Sequence, residues 1–261
     1  MHGALHVAKT GLSAQDTNLR VISNNLANIS TVGFKKDRAV FEDLLYQIRR
    51  QPGAQNAADA QLPSGLQLGH GVRTVSTQKQ FFTGDLQITD QPFDLAINGK
   101  GFLQVLQPNG DIAYTRNGQL HLNGENQVVT AEGFPIEPAI VLPGEVVNFS
   151  VGQDGLVTVV VAGDPNPQEI AQIELADFVN PQGLQAIGQN LFIETAASGA
   201  PIVVNPGEEG TGILKQGMLE GSNVNAVEEL VNMITTQRAY EINSKVISTA
   251  DQMLSFATQQ L

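Results

Sequence analysis

The stretch Leu5-His-Val-Ala-Lys-Thr-Gly-Leu-Ser-Ala-Gln-Asp-Thr-Asn-Leu-Arg-Val-Ile-Ser-Asn-Asn-Leu26 places a leucine at every seventh residue: Leu5, Leu12, Leu19 and Leu26. Ala8, Gln15, Ile22 and Ile29 occupy the second position of the same repeat, and three of these four are apolar. Such a repeat predicts a helix carrying a coiled-coil seam. From Ala4 to Ile29 there is no proline, and Gly11 is the only glycine, so nothing in the segment stops the helix.

The other end of the chain reads the same way. Val224 to Leu261 contains neither proline nor glycine. Val227, Leu230, Val231 and Ile234 share one face, while Met233, Tyr240, Ile247, Leu254 and Leu261 recur at sevens, and Val246 and Met253 open a neighbouring row. Gly221 breaks the chain ahead of this helix, with Ser222 and Asn223 as cap candidates. An apolar helix stripe usually packs on the core of its own domain. Here the two helices lie at opposite ends of the chain and are poor in charge: Lys9, Asp16 and Arg20 in the first, six charged residues in the second. They are therefore expected to pack on each other and then on further copies of themselves. The candidate assembly residues are Leu5, Leu12, Leu19, Ile22, Leu26, Val227, Leu230, Ile234, Tyr240, Ile247 and Leu254.

Between the helices the signals are those of β structure. Four Asn-Gly pairs, at Asn98, Asn109, Asn117 and Asn123, mark hairpin turns, because both residues tolerate positive φ. Short strand-like runs surround them: Phe102 to Leu106, Ile112 to Thr115, Leu120 to Leu122, and later Val157 to Val161 and Ile173 to Phe178. This spacing predicts an antiparallel sandwich or barrel. Gln51 to Gly71 reads as an extended linker, and Val203 to Gly217 as its return. The expected fold class is mixed α and β, in three parts. Residues 1–33 with 222–261 form a helical assembly domain, 34–95 with 206–221 a linker region with β character, and 96–205 an outer β domain.

The 261 residues include 14 basic and 26 acidic ones, a net charge of −12. That balance argues against nucleic acid and anionic membrane surfaces, which call for a basic footprint. Charged residues make up only 15%, and Gln plus Asn number 44, so the polarity comes largely from uncharged amides. No cysteine is present, which removes disulfides, thiolate metal sites and cysteine nucleophiles. No run approaches the ~18 apolar residues of a membrane span. The start lacks the pattern of a cleavable signal peptide, so any passage out of the cytoplasm is expected to use another route.

Chemistry-bearing motifs are scarce. His2 and His6 have chelate spacing on a helix but no acidic third ligand nearby, His70 lies between two glycines, and His121 lies on an expected strand. Asp85, Asp90 and Asp94 fall in turn-like positions beside Gly84 and Pro92, where aspartate is ordinary turn chemistry. There is no nucleophile elbow, zinc-protease motif or phosphate-binding loop. The expectation is no catalytic residue, no metal and no cofactor.

The most specific string crosses the end of the first helix: Ser23-Asn-Asn-Leu-Ala-Asn-Ile-Ser-Thr-Val-Gly-Phe-Lys35. Physically it is a polar exit in which Asn28, Ser30 and Thr31 can meet the last carbonyls and Gly33 permits the reversal. As a string it closely resembles the signature of the bacterial flagellar axial proteins, the rod and hook family, carried by Asn24, Asn25, Leu26, Ala27, Asn28, Thr31, Gly33 and Phe34. Glu220-Gly-Ser-Asn-Val-Asn225 and Glu228 through Lys245 resemble the family's other end, and Gly99–Phe102, Tyr114–Gly118 and Val128–Phe134 resemble its internal landmarks. Arg38–Tyr46 with the segment holding Pro52, Gly53, Pro63 and Gly65 resembles the distal-rod branch. Gly221, where a hydroxyl residue is commoner, and His6 are small departures.

The resemblance implies a structural, non-enzymatic subunit, carried out by the flagellar export apparatus and assembled in the periplasm. Terminal helices would line a helical tube, linkers would form the next layer and β domains would face outward. The tube would serve as a drive shaft and as the wall of the export channel. Its implied partners are further copies of itself, proximal rod proteins, hook or hook-junction proteins, and the surrounding ring or bushing proteins, without nucleic acid or membrane insertion. A different axial member and, more remotely, a peptidoglycan-active enzyme are the alternatives.

Overall fold

The structure, a computed structural model, describes residues 2–51, 55–57, 60–61, 64–144 and 146–259. Two α-helices, α1 (His2–Ala27) and α2 (Ala226–Gln259), stand at the two ends of the chain, and the elements between them are almost all β. The strand pairings are antiparallel, and no sheet closes into a barrel among the described residues. The chain divides into two compact units, one of residues 1–26, 37–78 and 226–261, the other of 27–36 and 79–225.

In the first unit, α1 and α2 run antiparallel. Asn25 Nδ2 reaches Glu229 Oε2 at 3.5 Å, and Asn18 Nδ2 donates to Thr236 Oγ1 at 3.0 Å. Gly11 lies so close to Asn243 that a Cβ there would sit 3.1 Å from its Nδ2. These three contacts fall seven residues apart on each helix, in the row just before the leucines that the repeat marks as the seam. The described bonds between the helices are made by polar and small side chains.

The same unit holds a β ribbon. Asp37–Asp43 pairs Val72–Lys79, Tyr46–Arg50 pairs Leu66–Gly69, and Gln55–Ala57 pairs Ala60–Gln61. The expected extended linker is thus a hairpin over its described residues. Apolar side chains stand on both faces, since Tyr46 and Ile48 face with Gly69 and Gln67 while Leu68 faces with Gln47. Thr10 Oγ1 accepts from Val72 N, and Gly71 lies against Thr10 with no room for a side chain.

The second unit carries the main hydrophobic core. An open sheet runs Gln185–Gly188, Leu191–Ile193, Ile112–Thr115, Phe102–Leu106, Leu175–Asp177, Ile202–Val204, with Ile136–Glu137 also on Phe102–Leu106. A three-stranded sheet, Val146–Val151, Leu156–Val161 and Asp164–Gln172, contributes Phe149, Val157 and Val159 to the core beside Leu95, Ile97, Ile136 and Ile173. The expected return linker contains a strand, Ile213–Gln216, paired with Leu95–Asn98 and burying Leu214 in that core.

Two of the four Asn-Gly pairs make the expected hairpins. Asn109-Gly110 joins Phe102–Leu106 to Ile112–Thr115, and Asn123-Gly124 joins Leu120–Leu122 to Val128–Thr130. The pairs at Asn98 and Asn117 instead turn the chain between strands with different partners. Gly118 is needed there for another reason: a Cβ would fall 1.6 Å from Leu95 O.

An aromatic cluster lies on the other side of the large sheet. Phe81, Phe102, Phe178, Phe192 and Tyr114 pack edge to face, with Tyr114 4.8 Å from Phe178 between centroids. Burial, and then the adjacent Glu194 carboxylate, push the Tyr114 phenol from its ordinary 10.0 up to about 12. The folded state favours the neutral phenol, so this group's contribution is complete below pH 10.0 and is lost as pH rises through about 12. Alkaline titration followed by phenolate absorbance should show one late-ionising tyrosine, which the Tyr114→Phe variant lacks. The urea midpoint of the wild type should fall across that interval more steeply than the variant's.

Candidate functional site

The signature string folds into a pinned turn. In the first unit the side-chain amide of Asn25 forms a two-way bridge with Asp37, donating to its O at 2.9 Å and accepting from its N at 2.9 Å. In the second unit Thr31 Oγ1 donates to Asn28 Oδ1, Thr31 N to Asn28 O, and Phe34 N to Thr31 O, closing successive turns. Gly33 has φ +71°, and a Cβ there would lie 2.7 Å from the backbone carbon of Arg116. Both the left-handed conformation and the close approach require glycine. Its N–H donates to Glu220 O at 2.8 Å.

That approach delivers Lys35 into the β unit. Lys35 and Glu220 side chains are 0% exposed, and Lys35 Nζ donates to Glu220 Oε1 at 2.6 Å and to Phe82 O at 2.8 Å. Glu220 also accepts from Gly84 N at 2.9 Å and from Arg116 NH1 at 3.1 Å. Arg116 donates further to Gly99 O at 2.6 Å and stands over the Phe102 ring. Burial draws the Lys35 ammonium below its ordinary value against the pull of Glu220, with Arg116 lowering it further. Burial likewise lowers Arg116, opposed by Glu220 and then Asp177. The cluster joins three distant parts of the sequence: the segment after α1, the centre, and the strand before α2.

Asn223 completes the junction. Expected as a helix cap, it instead accepts from Lys36 N at 2.8 Å and donates to Gln80 O at 2.7 Å and Phe82 O at 3.2 Å. The cap expectation misplaced it because α2 begins at Ala226, three residues on. Composition and periodicity carry no hint of the Lys35–Glu220–Arg116 cluster, although all three residues fall within the family strings.

The candidate assembly residues divide by exposure. Ile22 is buried, and Leu5, Leu12, Leu19, Leu26, Ile247 and Leu254 are half-buried. Val227, Leu230, Ile234 and Tyr240 are exposed, Val227 at 70%, together with Val231, Ile242, Val246, Met253 and Phe256. All of these stand on one helix, α2. Among the described residues of α2, Glu229, Thr236 and Ala250 are buried. Of the linker residues, Gly65 is half-buried, while Pro52, Gly53 and Pro63 lie outside the described residues.

Asp85, Asp90 and Asp94 serve local structure. Asp85 O accepts from Gly221 N, Asp90 adopts φ 54°, and the buried Asp94 accepts from Thr89 Oγ1 at 2.6 Å. His70 Nδ1 lies 3.0 Å from Leu45 O. Among the described residues no group of three His, Cys, Asp or Glu side chains has metal-binding geometry, and no helix is long and apolar enough to cross a membrane.

Comparison with known proteins gives three family matches. Residues 5–35 match the flagella basal body rod protein family, 96–159 the flagellar hook protein FlgE/F/G D1 domain, and 215–260 the flagellar basal body rod FlgEFG protein C-terminal family. The chain is 56% identical to the flagellar basal-body rod protein FlgG of Buchnera aphidicola subsp. Schizaphis graminum, over 98% of each chain. It is 50% identical to the FlgG of Caulobacter vibrioides, over 99% of this chain and 98% of that one. Against the flagellar hook-basal body complex protein FlhP of Bacillus subtilis the identity is 32% over 95% of each.

The buried cluster makes an asymmetric prediction. Glu220→Ala leaves two buried cations facing each other and should cost about 3–5 kcal/mol in urea unfolding. Lys35→Met leaves the Glu220–Arg116 pair intact and should cost clearly less. Equal losses from the two variants would show that packing, not charge balance, governs the site.

Proposed function

Because the chain belongs to the flagellar basal-body rod protein family, we propose that it is a structural subunit of the distal rod, self-assembling into a rigid helical tube. The tube acts as the drive shaft between motor and hook and as the wall of the export channel. The observation that carries this reading is the 50–56% identity to rod proteins over essentially the whole chain. The weaker identity to the hook-basal body complex protein places other axial members second.

The physical support comes from α2. Its described bonds to α1 run through Glu229, Thr236 and the contact of Asn243 with Gly11, which leaves Val227, Leu230, Val231 and Ile234 uncovered in the single chain. Fully burying each such side chain stabilises by about 1.5–3 kcal/mol. A helical polymer collects that gain in every subunit, with the terminal helices forming its inner coiled-coil layer. In this reading residues 1–33 with 222–261 are the assembly domain, 34–95 with 206–221 the intermediate layer, and 96–205 the outward domain, sandwich-like in its packing. The chain works in the periplasm, meeting proximal rod, hook or hook-junction and ring proteins, and it turns over no substrate.

Ile234→Asp tests this directly. The position is exposed in the single chain, so the monomer's melting should change little. Polymerisation, followed by sedimentation, and rod growth in cells should fail, because the carboxylate would be buried without a partner. A motile strain carrying this variant would refute the role assigned to that face of α2.

A further inference from the structure

Beside the ionic cluster, the β unit contains a cavity of about 160 Å³ whose lining includes Phe81, Lys100, Phe102, Arg116, Asp177 and Phe178. Three features set it apart. First, it gathers two cations against one carboxylate within a unit that holds six basic and seventeen acidic residues. Second, Arg116 Nε is the one buried side-chain nitrogen or oxygen without a hydrogen-bond partner among the described residues. An unmet buried donor costs about 1–3 kcal/mol, so the Arg116 guanidinium keeps hydrogen-bonding capacity beyond its bonds to Glu220 and Gly99. Third, Val179, which also lines the cavity, stands 83% exposed in the single chain.

The volume falls short of the roughly 300–1,000 Å³ of small-molecule sites. It suits the end of one side chain. An acceptor of negative charge fits Lys100 and Arg116, and an apolar stem fits Val179 and Phe178. A chain that polymerises offers such a group at every contact, since each neighbour carries the same seventeen acids in this unit.

We propose that this cavity is a socket for a carboxylate side chain of a neighbouring copy, its acid group meeting Lys100 and Arg116 and its methylene stem resting on Val179. The inference rests on the reading of the chain as a polymerising rod subunit. The socket then fixes contacts between β units, independently of the helices, and charge-assisted bonds of this kind supply geometry as well as energy.

Zero-length carbodiimide coupling of polymers of the full chain tests it, because the reagent joins a lysine to a carboxylate only at ion-pair distance. Polymers mixed from isotope-labelled and unlabelled subunits should yield a Lys100 link between two different copies. Lys100→Gln and Val179→Ser should each leave the melting of the β unit unchanged and raise the critical concentration for polymerisation about tenfold, or ~1.4 kcal/mol. A Lys100 link confined to Asp177 of its own chain, no Lys100 link at all, or unchanged polymerisation of Lys100→Gln overturns the socket while leaving the rod reading intact. Failure of the wild type to polymerise removes both.

Discussion

A fully buried carboxylate has to be met by donors on every side, and Glu220 is met by three: Lys35 Nζ, Gly84 N and Arg116 NH1. Much of the local sequence follows from that requirement. Gly33 is glycine so that the backbone can pass against Arg116 and bring Lys35 inward. Gly84 is glycine because a Cβ there would fall 2.2 Å from Gly221 O, and the same tight approach offers its N–H to the carboxylate. Buried ion clusters are poor sources of net stability, since desolvation consumes most of the attraction. What this one supplies is registration, because a wrong pairing of these segments would strand a charge in the interior. Asn223, tied to Lys36, Gln80 and Phe82, repeats the device with uncharged groups.

The two units differ in how complete they are. The β unit closes on its own core, with Val105, Ala113, Ile136, Leu175 and Val157 all at or near zero exposure. The helical unit does not. Hydrogen bonds such as Asn18 to Thr236 add about 0.5–1.5 kcal/mol net each, while a row of large apolar residues on α2 stays in water. A ribbon with Tyr46 and Ile48 on one face and Leu68 on the other also lacks an inner side. Two-stranded ribbons are marginal alone. In the proposed polymer, neighbouring copies would cover both elements.

Much of this was legible in the sequence. Both helices fall within two residues of the expected bounds at their inner ends, and Phe102–Leu106, Ile112–Thr115 and Leu120–Leu122 are strands as read. Those signals are local: periodicity, missing breakers, Asn-Gly turns. The phase of the heptad was not legible, because Asn18, Asn25 and Thr236 pair through specific bonds that a hydrophobic pattern ignores. The strands Tyr46–Arg50, Leu66–Gly69 and Ile213–Gln216 were hidden for a related reason. Two of them alternate apolar and polar residues over only four or five positions, beside a stretch rich in Ala, Gln, Gly and Pro that reads as linker, and the third is defined only by its distant partner Leu95–Asn98. The Lys35–Glu220–Arg116 cluster spans 185 positions from Lys35 to Glu220, a separation over which single-sequence patterns say nothing.

Amide hydrogen exchange on the full chain, compared between monomer and polymer, tests the division into a finished and an unfinished unit most directly. The account predicts that Phe102–Leu106, Met218–Glu220 and the Gly33–Lys35 turn exchange slowly in both states. It predicts that α2 from Ala226 onward exchanges quickly in the monomer and becomes protected only on polymerisation. If α2 is as protected in the monomer as Phe102–Leu106, the helices are already complete within one chain and the account is wrong.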